Sequence, residues 1–274
     1  MTINCKGKLI DLSTPKVMGI LNLTPDSFFD GGKFQDQTAS LKQVERMLNE
    51  GATFIDVGAY SSRPKAEHVS EAEELKRLLP VLEVILEEFS EVLISVDTFR
   101  SKVAKAAIEV GAALINDISA GQMDPQMMAM VGNLKVPYIM MHMRGTPQTM
   151  QNLTQYDDLI KDMLFYFSER LAEARSHGIT NPIIDPGFGF AKTREQNFEL
   201  LDHLELFKII EHPLLVGVSR KSMIYKTLDT TAEHALNGTS ILNTVALQKG
   251  ASILRVHDVK EAVECVKLVT ALHS

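Results

Sequence analysis

Only two cysteines occur in the 274 residues, Cys5 and Cys265, far apart and outside any Cys-x-x-Cys spacing. That argues against a disulfide framework and a thiolate metal cage, and it suits free thiols in a reducing cytosol. A basic surplus is missing too. Asp and Glu number 35 against 28 Lys and Arg, a formal net charge of −7. Such a balance disfavours nucleic acid or an anionic membrane as the main partner, and any anion must be held by a local basic cluster. No stretch reaches the roughly 20 apolar residues of a membrane span, and the first 15 residues carry no apolar signal core. A cytoplasmic location, with no nucleic-acid and no membrane partner, is therefore expected. Pro/Ser-rich linkers, low-complexity tracts and close repeats are absent as well, so one domain over 1–274 is expected.

What is present is an alternation. The composition, 45% apolar and 23% charged, is that of a globular chain. Short β-branched runs at 17–21, 53–57, 93–96, 113–115, 137–141, 182–184, 214–218 and 252–256 alternate with amphipathic segments. Examples of the latter are 72–89 and 156–177, whose apolar residues recur at helical spacing. Gly51, Gly111, Gly178 and Gly250 each stand where a glycine ends a helix. Eight βα units, spaced by roughly 34 residues, are the pattern of a (β/α)8 TIM barrel. A doubly wound open sheet uses the same units. The missing Gly-rich dinucleotide turn after the first strand favours the closed barrel.

Nearly every expected strand ends in polar residues: Asn22, Ser62 and Arg63 on the second loop, Asp97, Asn116 and Asp117, His142, Asp185, Ser219 to Lys221, and Arg255 with His257. In a barrel these ends meet on one rim, where the active site is built. Carboxylates and an amide suit a heterocycle with adjacent N–H donors and acceptors. A guanidinium can stack on a flat ring, and the basic groups together can hold phosphate oxygens. The set implies an aminopyrimidine-like ring carrying an anionic leaving group. Other motifs fail on inspection. In Gly187-Phe-Gly-Phe-Ala191-Lys192-Thr a phosphate loop would need glycine at 191, and Lys192 takes the last glycine position of a GxGxxG. Val218-Ser219-Arg-Lys-Ser lacks the second glycine of a nucleophile elbow, and no HExxH or paired-His spacing supports zinc.

The motifs Gly19-Ile-Leu-Asn22-Leu-Thr-Pro-Asp26-Ser-Phe28-Phe-Asp30-Gly-Gly32, Asp56-Val-Gly-Ala-Tyr-Ser-Ser62-Arg63-Pro64, Ser95-Val-Asp97-Thr, Ile115-Asn116-Asp117-Ile118-Ser, Met141-His142-Met-Arg-Gly145-Thr-Pro147, Asp185-Pro-Gly-Phe-Gly189-Phe190, Gly217-Val-Ser-Arg-Lys221-Ser222 and Arg255-Val-His257-Asp258 run across almost the whole chain. In content and order they resemble the dihydropteroate synthases of folate biosynthesis, a family often targeted by sulfonamides. The resemblance implies condensation of (7,8-dihydropterin-6-yl)methyl diphosphate with 4-aminobenzoate, giving 7,8-dihydropteroate and diphosphate. It implies that Asp97, Asn116, Asp185 and Lys221 grip the pterin edge and that Arg255 stacks on its face. Arg255, His257, Asn22, Ser62 and Arg63 would surround the diphosphate, with Asn22 as the Mg²⁺ ligand and Asp30 as a helper. Phe28, Ser62, Arg63, Pro64, Phe190, Lys221 and Ser222 would frame 4-aminobenzoate. Asn22, Arg63, Lys221, Arg255 and His257 are the candidate catalytic residues, the partners are small-molecule substrates, and a homodimer is expected.

The physical account is compatible with that reading. Loss of diphosphate leaves positive charge that the electron-rich ring delocalises, while basic groups and Mg²⁺ stabilise the anion. The arylamine attacks through a neutral lone pair, so no strong general base is needed. The carboxylate of 4-aminobenzoate is expected at the start of the helix after Lys221, and the loops 23–37 and 59–69 are expected to act as lids. Departures from the family pattern are Ala59-Tyr60-Ser-Ser62-Arg-Pro-Lys65, where Gly-Glu-Ser-Thr-Arg-Pro-Gly is common, and Ala191 and Tyr225 where glycine is common. Two other readings are a methyltransferase barrel binding methyltetrahydrofolate and a pterin-binding paralogue without turnover. Ser219 to Ser222 and Arg255 to His257 oppose the first, and only the altered second loop favours the other. A dimer interface could come from the apolar-rich segments 235–248 and 259–272, whose barrel-facing sides explain the same residues equally well.

Overall fold

β-Branched runs too short for helices find their hydrogen bonds in one parallel ladder. The computed structural model describes residues 1–23, 32–60 and 69–272. Its strands β3 (Lys16–Asn22), β4 (Phe54–Gly58), β5 (Leu93–Asp97), β6 (Leu114–Asp117), β7 (Tyr138–Met141), β8 (Pro182–Asp185), β9 (Leu215–Val216) and β10 (Ile253–Val256) form one sheet. The order is β8-β7-β6-β5-β4-β3-β10-β9, and a parallel bridge between Ile184 and Leu214 joins its two ends. All eight expected strands are present, closed into a barrel. The seventh is shorter than expected, because the chain leaves the ladder at Gly217 and turns, with the Lys221 N–H donating to Val218 O at 3.1 Å.

The helices between the strands are α1 (Gly32–Asn49), α2 (Glu71–Glu88), α3 (Ser101–Val110), α4 (Met127–Leu134), α5 (Leu159–Ser176), α6 (Arg194–Asp202), α7 (Ser222–Tyr225), α8 (Leu236–Gln248) and α9 (Val259–Leu272). Their apolar stripes cover outward-facing strand residues such as Ile55, Val57, Ile94, Val96, Ile115 and Val256. Gly51, Gly111, Gly178 and Gly250 all have positive φ, as their helix-ending positions require. Three expectations need correction. Helix α5 starts at Leu159, later than 156, because the Asp158 side chain accepts from the Lys161 N–H and fixes the N-cap there. Residues 32–37, assigned to a lid loop, belong to α1. The helix after Lys221 is a single turn, so its dipole is a small fraction of a full helix's.

A hairpin unforeseen in the sequence closes the N-terminal end of the barrel. Strands β1 (Thr2–Cys5) and β2 (Lys8–Asp11) pair antiparallel, joined by Lys6 and Gly7 with φ 53° and 79°, as a tight two-residue turn demands. Ile3, Cys5 and Leu12 pack there against the innermost apolar layer, Met18, Phe54, Leu93, Leu114, Ile139, Ile183, Leu215 and Ile253. Side chains alternate along a strand. Two residues further on, the inward positions are therefore Ile20, Asp56, Ser95, Asn116, Met141, Asp185, Gly217 and Arg255. The barrel interior thus changes from apolar to polar within one layer.

Candidate active site

That second layer is the floor of a polar pocket. Arg255, on β10, reaches across it. Its Nε donates to Asp56 Oδ2 at 2.6 Å, and its Nη2 donates to Asp97 Oδ2 at 2.9 Å. Asn116 Nδ2 donates to the same Asp56 oxygen at 3.1 Å. Asp56 is fully buried. Its other oxygen, Oδ1, and the Oγ of Ser95, its register partner on the next strand, have no hydrogen-bond partner among the described residues. Burial opposes the charge on Arg255, but the carboxylates of Asp56 and Asp97 outweigh it and hold the guanidinium above its ordinary pKa. Burial raises Asp97 despite Arg255, and it raises Asp185 despite Lys221.

Lys221 closes the pocket from the turn after β9. Its Nζ donates to the carbonyl of Phe188 and lies 5.0 Å from the centroid of the Phe190 ring. Burial pushes its pKa down to about 8 against the pull of Asp185. A Cβ added at Gly189 would stand 3.3 Å from Lys221 Cδ, so glycine leaves room for the lysine stem. The neighbouring basic residue, Arg220, points elsewhere. Its Nε and Nη2 make a bidentate pair with Asp258 at 2.8 Å each, and Nη1 donates to the carbonyls of Ala232 and Glu233. That clamp fixes the turn from which Lys221 projects. Ser219 Oγ lies 3.1 Å from His257 Nδ1 and accepts from the His257 backbone N–H. His257 is thus tied to the same turn.

The structure brings together Asp97, Asn116, Asp185, Lys221 and Arg255, with Phe190 half-buried beside them. Asn22, at the end of β3, pairs in register with Gly58 of β4 and is half-buried at the rim. Ser222 is exposed at the start of α7. Phe28, Asp30, Ser62, Arg63 and Pro64 lie outside the described residues, as does most of both expected lid loops. Two strand-end residues are not part of the pocket. Asp117 alternates outward and accepts from Tyr138 Oη at 2.6 Å, the Ser119 N–H at 2.7 Å and the Gly121 N–H at 2.8 Å. His142 is buried against Tyr166 and Lys192. Asp56 is the site residue that sequence reasoning missed. Its signal was available, because it stands two positions after Phe54 in a strand whose other inward residue is apolar.

The chain is similar to known proteins over nearly its whole length. Residues 18–257 match the family model described as pterin binding enzyme. A dihydropteroate synthase of Synechocystis sp. is 46% identical over 93% of this chain and 89% of its own length. Yersinia pestis dihydropteroate synthase, solved with a sulfonamide drug complex, superposes with a TM-score of 0.93 at 42% identity over 100% of this chain and 99% of that one. Xanthomonas albilineans dihydropteroate synthase, solved with 4-aminobenzoic acid, superposes with a TM-score of 0.93 at 36% identity over 100% and 98%.

Proposed function

The chain belongs to the pterin-binding enzyme family, among its dihydropteroate synthases, and from that premise we propose how its residues divide the work. The reaction is a transfer: (7,8-dihydropterin-6-yl)methyl diphosphate and 4-aminobenzoate give 7,8-dihydropteroate and diphosphate. The observation that carries the assignment is the polar second layer with Asp97 just above it, where Asp56, Asp97 and Asn116 are joined through one guanidinium over an apolar barrel interior. Asp97, Asn116 and Asp185 take the donors and acceptors of the pterin edge, and the Lys221 ammonium donates to the ring's acceptors. Arg255, held level by Asp56 and Asp97, stacks on the ring face.

The arylamine nitrogen attacks the pterin methylene carbon as its bond to the diphosphate oxygen breaks. The bonding pair leaves with diphosphate, and the amine proton is lost after the new C–N bond forms. Catalysis then rests on orientation and on stabilising the departing anion. Arg255 and His257 face that anion from the β10 end, and the resemblance assigns Ser62 and Arg63 to it as well. Phe190, Lys221 and Ser222 border the 4-aminobenzoate site, with Phe28, Ser62, Arg63 and Pro64 assigned by the motifs.

Asn22 is the residue that would hold Mg²⁺. Among the described residues no three His, Cys, Asp or Glu side chains converge as a metal cage. An ion at Asn22 would therefore draw most of its ligands from diphosphate and water, as suits magnesium. When bound, Mg²⁺ would neutralise charge on the leaving diphosphate.

We assign the protein to the cytoplasm and to a homodimer. Cys5 and Cys265 are free thiols, and no helix among the described residues is long and apolar enough to cross a membrane. For the dimer, the support is the outer surface of α8 and α9, which pack together and leave Ile241, Leu268 and Leu272 54%, 70% and 69% exposed. The whole reading is tested by diphosphate release from purified protein. Release should need both organic substrates and Mg²⁺ and should yield dihydropteroate. Pterin binding without release would reduce the protein to a binder.

A further inference from the structure

The segment 187–193, which looks like a phosphate loop and fails as one, contains a lysine that the reaction does not use. Lys192 is 8% exposed. Its ammonium donates to the carbonyl oxygens of Gly187 and Phe190, both at 3.1 Å, and lies 3.0 Å from His142 Nδ1. A protonated lysine has three N–H donors, and here each has one acceptor, none of them a carboxylate. His142 is itself 2% exposed, with its ring edge-on to Tyr166 at 4.8 Å. Its backbone N–H donates to Asp185 O at 2.8 Å. As the acceptor for Lys192 at Nδ1, its imidazole is neutral with the proton on Nε2. Burial, with Lys192 and Arg144 nearby, drives its pKa well down.

The turn that Lys192 grips touches the pterin pocket at three points. The Gly187 N–H donates to Asp185 Oδ1 at 2.8 Å and so sets the direction of that carboxylate. The Phe188 carbonyl accepts from Lys221 Nζ. The Phe190 ring lies under the same ammonium. The turn is also pressed onto the His142 backbone, since a Cβ at Gly187, whose φ is +69°, would come within 2.2 Å of His142 O. Only glycine permits that approach.

We propose that Lys192 is a positioning residue for pterin recognition, its ammonium locking the 187–190 turn to His142 so that Asp185, Lys221 and Phe190 face the ring together. This rests on the assignment of Asp185 and Lys221 to the pterin. Lys192 does not touch the substrate. It acts chiefly on the pterin half of the site, because the turn directs Asp185 and holds Lys221 by hydrogen bonds, whereas Phe190, which also borders the 4-aminobenzoate site, is only in ring contact with Lys221. Burial pushes the Lys192 pKa down to about 7, Asp185 on β8 opposes that shift, Lys221 and Arg144 add to it, and neutral His142 accepts from the ammonium.

The test compares Lys192→Met, which keeps the stem and removes every donor, with wild type and with Lys221→Ala. Affinity for 7,8-dihydropterin is read by calorimetry, the steady-state constants for both substrates by diphosphate release, and the fold by circular dichroism and thermal melting. Lys192→Met is expected to weaken pterin binding by about tenfold or more, the effect of losing both hydrogen bonds to the turn carbonyls of Gly187 and Phe190. The KM for 4-aminobenzoate, at saturating pterin substrate, should rise by clearly less than pterin affinity falls, since only Phe190 and Lys221 of the residues the turn steers border that site. His142→Leu, which deletes one of the three acceptors, should shift pterin affinity the same way by less, and adding Lys192→Met to it should give no more than Lys192→Met alone. Should Lys192→Met fail to fold, His142→Leu and Lys192→Gln carry the same comparison. Wild-type pterin affinity in a folded variant, or equal weakening of both substrates in step with lost thermal stability, overturns the proposal. If Lys221→Ala also binds pterin normally, the fault is in the site assignment and not in Lys192.

Discussion

Replacing Asp56 by Asn changes one atom and no volume, yet it should separate binding from stability. Asp56 Oδ2 accepts from Arg255 Nε at 2.6 Å and from Asn116 Nδ2 at 3.1 Å. In the variant the amide oxygen must face both donors, which sends the amide nitrogen to the position of Oδ1, a buried place with no partner among the described residues. The Arg255 bond falls from a charge-assisted one, worth about 1.5–3 kcal/mol, to a neutral one near 1 kcal/mol. Arg255 keeps Asp97, so it should remain in the pocket but less firmly held. A loss of about 1–2 kcal/mol in pterin recognition corresponds to a roughly 5- to 30-fold higher KM for the pterin substrate. Folding should change by less than about 1 kcal/mol, because one buried atom without a partner replaces another and a buried charge is removed. Initial rates of diphosphate release at varied pterin substrate, alongside a thermal melt, measure both. An unchanged KM, or a loss confined to 4-aminobenzoate, would refute the claim that Asp56 orients Arg255 and Asn116.

Arg255→Ala should abolish turnover and leave Asp56 and Asp97 without their cation, so a native circular dichroism spectrum with residual rates below about a thousandth of wild type is expected; near-normal rates would remove Arg255 from the site. Lys221→Met should also abolish turnover but raise stability at neutral pH. The folded chain holds this lysine at about 8, against an ordinary 10.5. The unfolded chain therefore keeps the proton over that window, and wild-type stability recovers as pH rises through it. Denaturant titration should find the variant about 1–3 kcal/mol more stable at pH 7, with the gap closing by about pH 10. A gap independent of pH would contradict the burial argument. Gly187→Ala meets both a positive φ and a 2.2 Å contact with His142 O, so a loss of about 3 kcal/mol or more is expected in the same titration; a wild-type melt would show that the turn yields freely. Sedimentation equilibrium should give a dimer mass for the unaltered chain, as proposed, and a monomer mass for Ile241→Glu with Leu268→Glu; a monomer in both would refute the dimer, and a dimer in both would move the interface elsewhere.

The barrel was legible because parallel strands buried on both faces are written as unbroken β-branched runs, and Ile55, Val57, Ile94 and Val96 carry that signal. The rim was legible because Asn22, Asp97, Asn116, Asp185 and Arg255 all follow such runs. What the sequence hid was direction. Asn116 and Asp117 are adjacent and equally polar, and only the pleat decides that the first faces the pocket while the second braces the Ser119 to Gly121 turn. His142 ends its strand as the others do, but its ring turns back into the helical layer. In the Ser219-Arg220-Lys221 run two basic residues stand side by side, and the partner that draws Arg220 away from the pocket, Asp258, 38 residues on, could not be seen without coordinates. The N-terminal hairpin was invisible for a different reason: two inward residues, Ile3 and Cys5, are too few to establish an alternation.

A crystal structure of the chain with 7,8-dihydropterin bound would decide where the ring sits. The ring should lie on the floor formed by the second barrel layer, within hydrogen-bond distance of Asp97, Asn116, Asp185 and Lys221, with the Arg255 guanidinium across its face. Density for the ring away from that floor, with the Arg255 to Asp56 and Asp97 contacts undisturbed and Asp185 and Lys221 free of ligand, would contradict the assignment of this pocket.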